Sequence, residues 1–296
     1  MRIVSLLPSA TEILFALGCG DDVVGVTHEC DHPPDARSRR IVSTSALPVG
    51  ATPAEVDRMV KERIAAGEDL YRLEAGAFAE LDPDLVLTQD LCAVCAVDVS
   101  EVDEALAHLA CSAEVVTLDP MTIEEVLASI GAVGAATGRV EEAHDLVGLL
   151  RRRLTAAASL VADLPPRATF LLEWTDPAFT AGHWVPDMIE GAGGRCLLGR
   201  PGNPSVGVEW TDVSTTGAEV VIVAPCGYRL GGAADLARQV VARGVLPPGA
   251  EVWAIDADAI VVRPGPRIVD GVEAIASILH PDRCGPADPT QAVRIA

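Results

Sequence analysis

The sequence predicts an α/β chain of two doubly wound parallel-sheet lobes joined by one long rigid helix. Three observations predict it. Ala, Val, Leu and Gly dominate a chain that is 49% apolar but only 3% aromatic, the composition of helices packed on parallel strands. Short apolar runs recur and end in polar loops, as buried parallel strands do. Finally, residues 140–163 carry Leu146, Leu149, Leu150, Leu154 and Leu160 at helical spacing. About 24 residues make a helix ~36 Å long, roughly the diameter of a small domain.

The lobes are expected at 1–120 and 165–296, with 121–164 as linking helices. Met1 to Leu7 reads as the first strand, since Pro8 and Ser9 cut its apolar run short and no small-residue cleavage site of an export signal follows. Ser9-Ala10-Thr11-Glu12 matches a capping box and opens a helix that Gly18 ends. Val23 to Val26 is the second strand, and 37–50 a polar connection. Thr52-Pro53-Ala54-Glu55 caps a helix running to about Ala66, and Leu70 to Leu81 reads as another short helix. The strand 85–88 follows, then a helix over Glu101 to Leu109 and a strand over Glu114 to Leu118. Thr122-Ile123-Glu124-Glu125 is a second capping box, whose helix weakens at Gly138 and restarts at Arg139. Leu164-Pro165-Pro166 stops the long helix. The second half repeats the logic with strands 168–172, 220–224 and 252–255, a polar loop over 173–186, a helix from Asp187 and a last helix over 268–279.

A net charge of -21 repels phosphate backbones and anionic headgroups, which argues against nucleic acid or membrane-surface partners. No run reaches the ~18 to 20 apolar residues of a membrane span, so no stable membrane insertion is expected. Eight cysteines are too sparse for a disulfide scaffold and read as reduced thiols, which places the protein in the cytoplasm.

Open α/β sheets bind ligands at their strand carboxyl ends. Five loops stand there: Pro8-Ser9, His28 to His32, Gln89 to Cys95, Glu173 to Trp184, and Pro225-Cys226-Gly227. Cys92 and Cys95 form a C-x-x-C which, with His28 and Cys30, gives three thiols and an imidazole. That set suits tetrahedral zinc or part of an iron-sulfur site; buried inert thiols are the alternative, because the usual second C-x-x-C is missing. A redox pair is a third reading. Trp174, His183 and Trp184 suggest a flat or apolar ligand, or a small core under a long loop. Glu173 could act as a base or bind a ligand amide, and Arg263 could meet an anionic group or cap the last helix. No phosphate-binding loop, dinucleotide fingerprint, nucleophile elbow or H-E-x-x-H occurs, so no reaction is named.

The runs R-I-V-S-L-L-P-S-A-T-E-I-L-F-A-L-G, V-V-G-V-T-H-E-C-D-H-P-P and L-D-P-D-L-V-L-T-Q resemble the cobalamin-binding proteins of ABC importers and their iron-siderophore relatives. The order of elements matches essentially the whole chain. The resemblance implies the helical-backbone, metal-receptor type of binding protein, with a corrinoid or related metal chelate held between the lobes. Its contacts would come from the loops around Ser9, Gln89, Glu173, Trp174, His183, Trp184, Cys226 and Arg263. Within that family the chain looks like a signal-less branch marked by H-E-C-D, Q-D-L-C-A-V-C, G-H-W-V-P and R-P-G-P-R. Secreted members dock to a permease through a glutamate on each lobe; here Gly76 stands at the first position, and the second falls near Thr211, with Glu209 close by. Those departures weaken a permease-docking role.

Overall fold

A computed structural model describes residues 1–48, 50–66, 71–73, 80–89 and 113–296. Two compact units result, Met1–Pro120 with Leu127–Val147 and Met121–Val126 with Gly148–Ala296. Each is an α/β unit.

The first unit is built on β1 (Ile3–Ser5), β2 (Val23–Val26), β3 (Arg40–Ile41), β6 (Leu85–Thr88) and β7 (Glu114–Thr117), in the order β3-β2-β1-β6-β7. All four pairings are parallel. The central strands are apolar along their length because both faces are covered: Ile3, Val4, Leu85, Val86 and Leu87 are all buried. Two short strands that the sequence reading lacked, β4 (Ser43–Ser45) and β5 (Tyr71–Leu73), pair antiparallel as a separate ribbon. Residues 71–73 are therefore strand, not part of a helix over 70–81. Their partner comes from the supposed polar connection, and a three-residue strand is specified by its partner more than by its own pattern.

Helix starts follow the caps in two of three places. At Thr52 the hydroxyl and backbone N-H both donate to the Glu55 carboxylate, each at 2.8 Å, and the helix runs Pro53–Ala66. Glu125 N-H donates to Thr122 Oγ1 at 3.2 Å ahead of the helix Ile123–Thr137. The exception is the first helix, Pro8–Ala16, whose N-cap is Leu7 in extended conformation. Pro8 needs no N-H donor in the first turn, so the helix begins one residue before Ser9, and Ser9 is buried inside it rather than capping it.

Gly138, at φ +69, breaks the next helical stretch, and the long helix covers Val140–Val161. Its 22 residues span ~33 Å. The division between the units falls within it, at Val147 and Gly148. No helix among the described residues is long and apolar enough to cross a membrane.

The second unit holds β8 (Arg167–Thr175), β9 (Ala178–Thr180), β10 (Gly194–Cys196), β11 (Gly207–Val208), β12 (Val220–Val223), β13 (Glu251–Ile255) and β14 (Ala292–Arg294). Its centre is parallel, β8-β12-β13, with β10 parallel to the start of β8. The edges are antiparallel: β9 folds back on β8, β11 on β9, and β14 on β13. The sheet thus has the expected parallel centre, with antiparallel edge strands of two or three residues that leave no periodic trace in the sequence. Strand β8 also runs three residues past the expected Leu172, which puts Glu173 and Trp174 on the strand itself. The core on one face of the sheet gathers Phe170, Leu172, Val221, Val223 and Ala254 with Ala233, Ala237 and Val240 of the helix Leu230–Arg243.

Candidate functional site

In the first unit, the strand carboxyl ends bury polar side chains. Ser5, Ser9, Thr11, Glu12, Thr27, Ser43, Thr88 and Gln89 are all buried there. The hydroxyl of Thr11 lies 2.8 Å from Ser5 Oγ and 3.0 Å from the Cys30 sulfur. Thr27 Oγ1 is 3.6 Å from the same sulfur. Buried hydroxyls cost stability unless bonded, and these bond one another. Cys30 is therefore seated in a hydroxyl cluster. His28 faces elsewhere: Nδ1 is 3.5 Å from Ser43 Oγ and Nε2 is 3.8 Å from the Glu29 carboxylate. Cys92 and Cys95, the other half of the expected metal set, lie outside the described residues. Among the described residues, no group of three His, Cys, Asp or Glu side chains is placed to hold a metal ion.

In the second unit the expected loops at the ends of β8 and β12 do meet. The backbone N-H of Cys226 donates to Glu173 O at 3.1 Å. Pro225 O accepts from Tyr228 N-H at 3.1 Å across a turn in which Gly227 takes φ +77, a conformation that favours glycine at that place. The turn presents Tyr228, whose ring meets Trp174 edge-on with centroids 5.9 Å apart at 63°. The ring also lies over the first turn of the helix Leu230–Arg243, where a Cβ on Gly232 would come within 2.8 Å of it. Tyr228 was not among the sequence candidates. The signal for it was available, a Gly-Tyr pair directly after a strand-ending Pro-Cys.

The Glu173 carboxylate accepts the Gly182 N-H at 2.8 Å, so it anchors the 178–184 segment. That segment is stitched to residues 202–206. His183 N-H donates to Asn203 O at 2.6 Å, Gly202 N-H to His183 O at 3.1 Å, and Ser205 Oγ to Thr180 O at 2.6 Å. His183 holds φ +52 and burial pushes its pKa down, so its imidazole is neutral at pH 7.

Trp184 and Arg263 are engaged inside the unit. The Trp184 indole N-H donates to Val261 O at 2.8 Å, and 6% of the residue is exposed. Arg263, 8% exposed, sets one nitrogen 3.0 and 2.9 Å from the two Asp258 oxygens. Arg229 Nε also reaches Asp258 at 3.0 Å. Neighbouring Asp256 caps the short helix Ala257–Ile260 through Ala259 N-H, and burial raises its pKa against the opposing pull of Arg229. Charge in this cluster is therefore largely matched pair by pair.

Cys196 has a different environment. Burial pushes its thiol up to about 12, against a lowering hydrogen bond from Gly199, while Glu190 and Glu173 add to the rise. At pH 8 such a thiol holds ~10³-fold less thiolate than an ordinary cysteine, partly offset by its greater intrinsic nucleophilicity. Alkylation of native protein, mapped by mass spectrometry, is expected to label Cys196 ~10²-fold more slowly than in denaturant. Equal rates would show the sulfur to be exposed.

The periplasmic binding protein family matches residues 3–239 of this chain. The ABC transporter substrate-binding lipoprotein YvrC of Bacillus subtilis (strain 168) is 25% identical over 304 aligned residues, covering 95% of this chain and 80% of that protein. The vitamin B12-binding protein of Yersinia pestis (strain Pestoides F) is 25% identical over 226 residues, 75% of this chain and 69% of that protein. Among solved structures, a periplasmic heme-binding protein from Pseudomonas aeruginosa superposes with a TM-score of 0.74 at 18% identity, covering 100% of this chain and 98% of its own. The periplasmic vitamin B12-binding protein BtuF of Vibrio cholerae gives 0.66 at 22% identity, covering 94% and 96%. At such identities the superpositions speak for the fold, and the match over 3–239 speaks for kinship. The α/β units with ligand-type side chains at their strand carboxyl ends are those of a solute-binding protein, and the chain belongs to the periplasmic binding protein family.

Proposed function

We propose that this chain is a binding protein for cobalamin or a related corrinoid or metal chelate. The observation that carries the reading is the Trp174–Tyr228 pair, two half-buried rings at the carboxyl end of the second unit's sheet, set beside the anchored carboxylate of Glu173. Aromatic faces with one polar anchor suit the broad apolar rim of a macrocycle and its polar arms. The vitamin B12-binding relative supports the same ligand class. Ser9 and Gln89, the first unit's candidates, are buried at the strand carboxyl ends of their own unit.

The proposal includes a reducing compartment, the cytoplasm, because the five described cysteines, Cys19, Cys30, Cys196, Cys226 and Cys284, are all free thiols. Fractionation of cells producing the native chain tests that part, and recovery in an extracytoplasmic fraction would overturn it.

Calorimetric titration with cyanocobalamin, hydroxocobalamin and hemin tests the ligand. Saturable heat with a shifted corrin absorption band is the expected result for at least one cobalamin. Heat from hemin alone would move the assignment to a porphyrin chelate, and no heat from any of the three would remove the proposal.

A further inference from the structure

A cavity of about 370 Å³ opens in the second unit between the end of β9 and residues 198–206, the segment that follows β10. Its apolar wall is made by Leu198, Pro204 and Val206. Leu198 and Val206 are 47% and 48% exposed, two of only seven large apolar side chains so exposed among the described residues. Both line this one cavity.

Leu198 also sits at φ +65. Ten glycines and four other described residues take positive φ, and Leu198 is the only apolar one among the four. A leucine there costs backbone energy that a glycine would not. Folding gains little from it, since half of the side chain faces solvent. Strain kept at a solvent-facing apolar side chain points to a use for that side chain.

The walls are fixed before any ligand arrives. Thr180 N-H donates to Val206 O at 2.9 Å, and Val206 N-H returns a bond to Thr180 Oγ1 at 3.3 Å. Together with the bonds through Asn203 and Ser205, they hold the strap against β9. Such preorganisation lowers the ordering cost of binding.

The one charged residue in the lining is Arg200, with the amide of Asn203 beside it. Among the described residues its guanidinium makes no ion pair. The net charge of -21 repels anions from the chain as a whole, so Arg200 is the local cation on which an anion would have to be held in this cavity.

The geometry points to a second ligand site, one that takes a small amphipathic carboxylate with its apolar body on Leu198 and Val206 and its anion at Arg200 and Asn203. Its volume matches a single ring or short chain better than a macrocycle. The site goes beyond the corrinoid reading and does not depend on it.

Titration of the ¹⁵N-labelled full chain with benzoate, followed by amide shifts without any corrinoid present, tests it. The expected result is saturable millimolar binding confined to amides near 180–181 and 198–206, with neutral benzamide at least about fivefold weaker. Leu198→Gly should leave the melting temperature unchanged or higher, because glycine accepts the left-handed backbone, while weakening benzoate about tenfold. Arg200→Gln, a change at an exposed side chain, should bring benzoate down to the benzamide level and serves if the glycine variant folds poorly. Three results would overturn the inference: no saturable shift, benzamide equal to benzoate, or full binding by both variants. Because no corrinoid enters the experiment, its failure leaves the cobalamin titration to stand or fall separately.

Discussion

Gly182→Ala will lower the stability of the second unit by about 3 kcal/mol and loosen the strap that frames Glu173 and His183. A Cβ at this position would lie 2.1 Å from Ser205 N, 2.6 Å from Ser205 Cα and 2.7 Å from Pro204 C. All three are backbone atoms, so no rotamer change relieves the clash. Either the 178–184 segment or the 202–206 strap must move by more than half an ångström. Movement breaks bonds in register, since His183 to Asn203 and Ser205 to Thr180 cross the seam between the two segments, and Gly182 to the Glu173 carboxylate ties the first segment to β8. Each buried bond left unmade costs ~1 kcal/mol or more, which brings the total near the figure above. Gly207→Ala is the control, because nothing there comes nearer than 3.9 Å to the new methyl. Thermal denaturation should show a drop of several degrees for the first variant and less than about one for the second. Equal melting temperatures would mean that the close approach at Gly182 does not exist in solution.

Much of the frame was legible because it depends on local chemistry. Val220–Val223 and Leu85–Thr88 announce buried parallel strands by being apolar at consecutive positions, and they are buried throughout. The Thr52 and Thr122 caps act through side chains within four residues of the helix start. Gly138 ends one helix at positive φ where the sequence placed the break.

What escaped depends on partners distant in sequence. Ser43–Ser45 and Tyr71–Leu73 are strands only because they face each other. The antiparallel β9–β11 edge pairs Phe179 with Gly207 across 28 positions, with a helix and β10 between them, and no propensity in either segment signals it. The candidate site divides in the same way. Trp174 and Trp184 look alike in sequence, ten residues apart and both assigned to one loop. Their difference comes from β8 continuing to Thr175, which leaves Trp174 half-buried beside Tyr228, while Trp184 turns inward to Val261 O. Arg263 was visible as a cation next to a rigid turn, but its bond to Asp258 arises from the helix Ala257–Ile260, which no pattern in the sequence marked.

On the proposed corrinoid-binding role, Trp174→Ala will reduce affinity for cobalamin ~100-fold while leaving the melting temperature within a few degrees of the parent chain. A Trp face buried by ligand contributes ~2 to 3 kcal/mol, and aromatic anchors dominate binding energy where the complex desolvates them fully. Tyr228 shapes the same surface in two ways. Its ring holds the Trp174 edge at 5.9 Å, and it lies over Gly232, where a methyl would intrude to 2.8 Å. Tyr228→Phe keeps both contacts, so affinity should change by less than about threefold, whereas Tyr228→Ala frees the indole and should cost ~30-fold. Gly232→Ala should fall between them, since it displaces the ring without removing it. In the double variant Trp174→Ala/Tyr228→Ala the losses should not add, with a coupling of ~1 kcal/mol, because an indole that is absent cannot be oriented. Strict additivity would separate the two rings and return Tyr228 to a packing role. An unchanged affinity in Trp174→Ala would take the ring wall out of the binding site altogether and leave Glu173 to carry the second unit's contact.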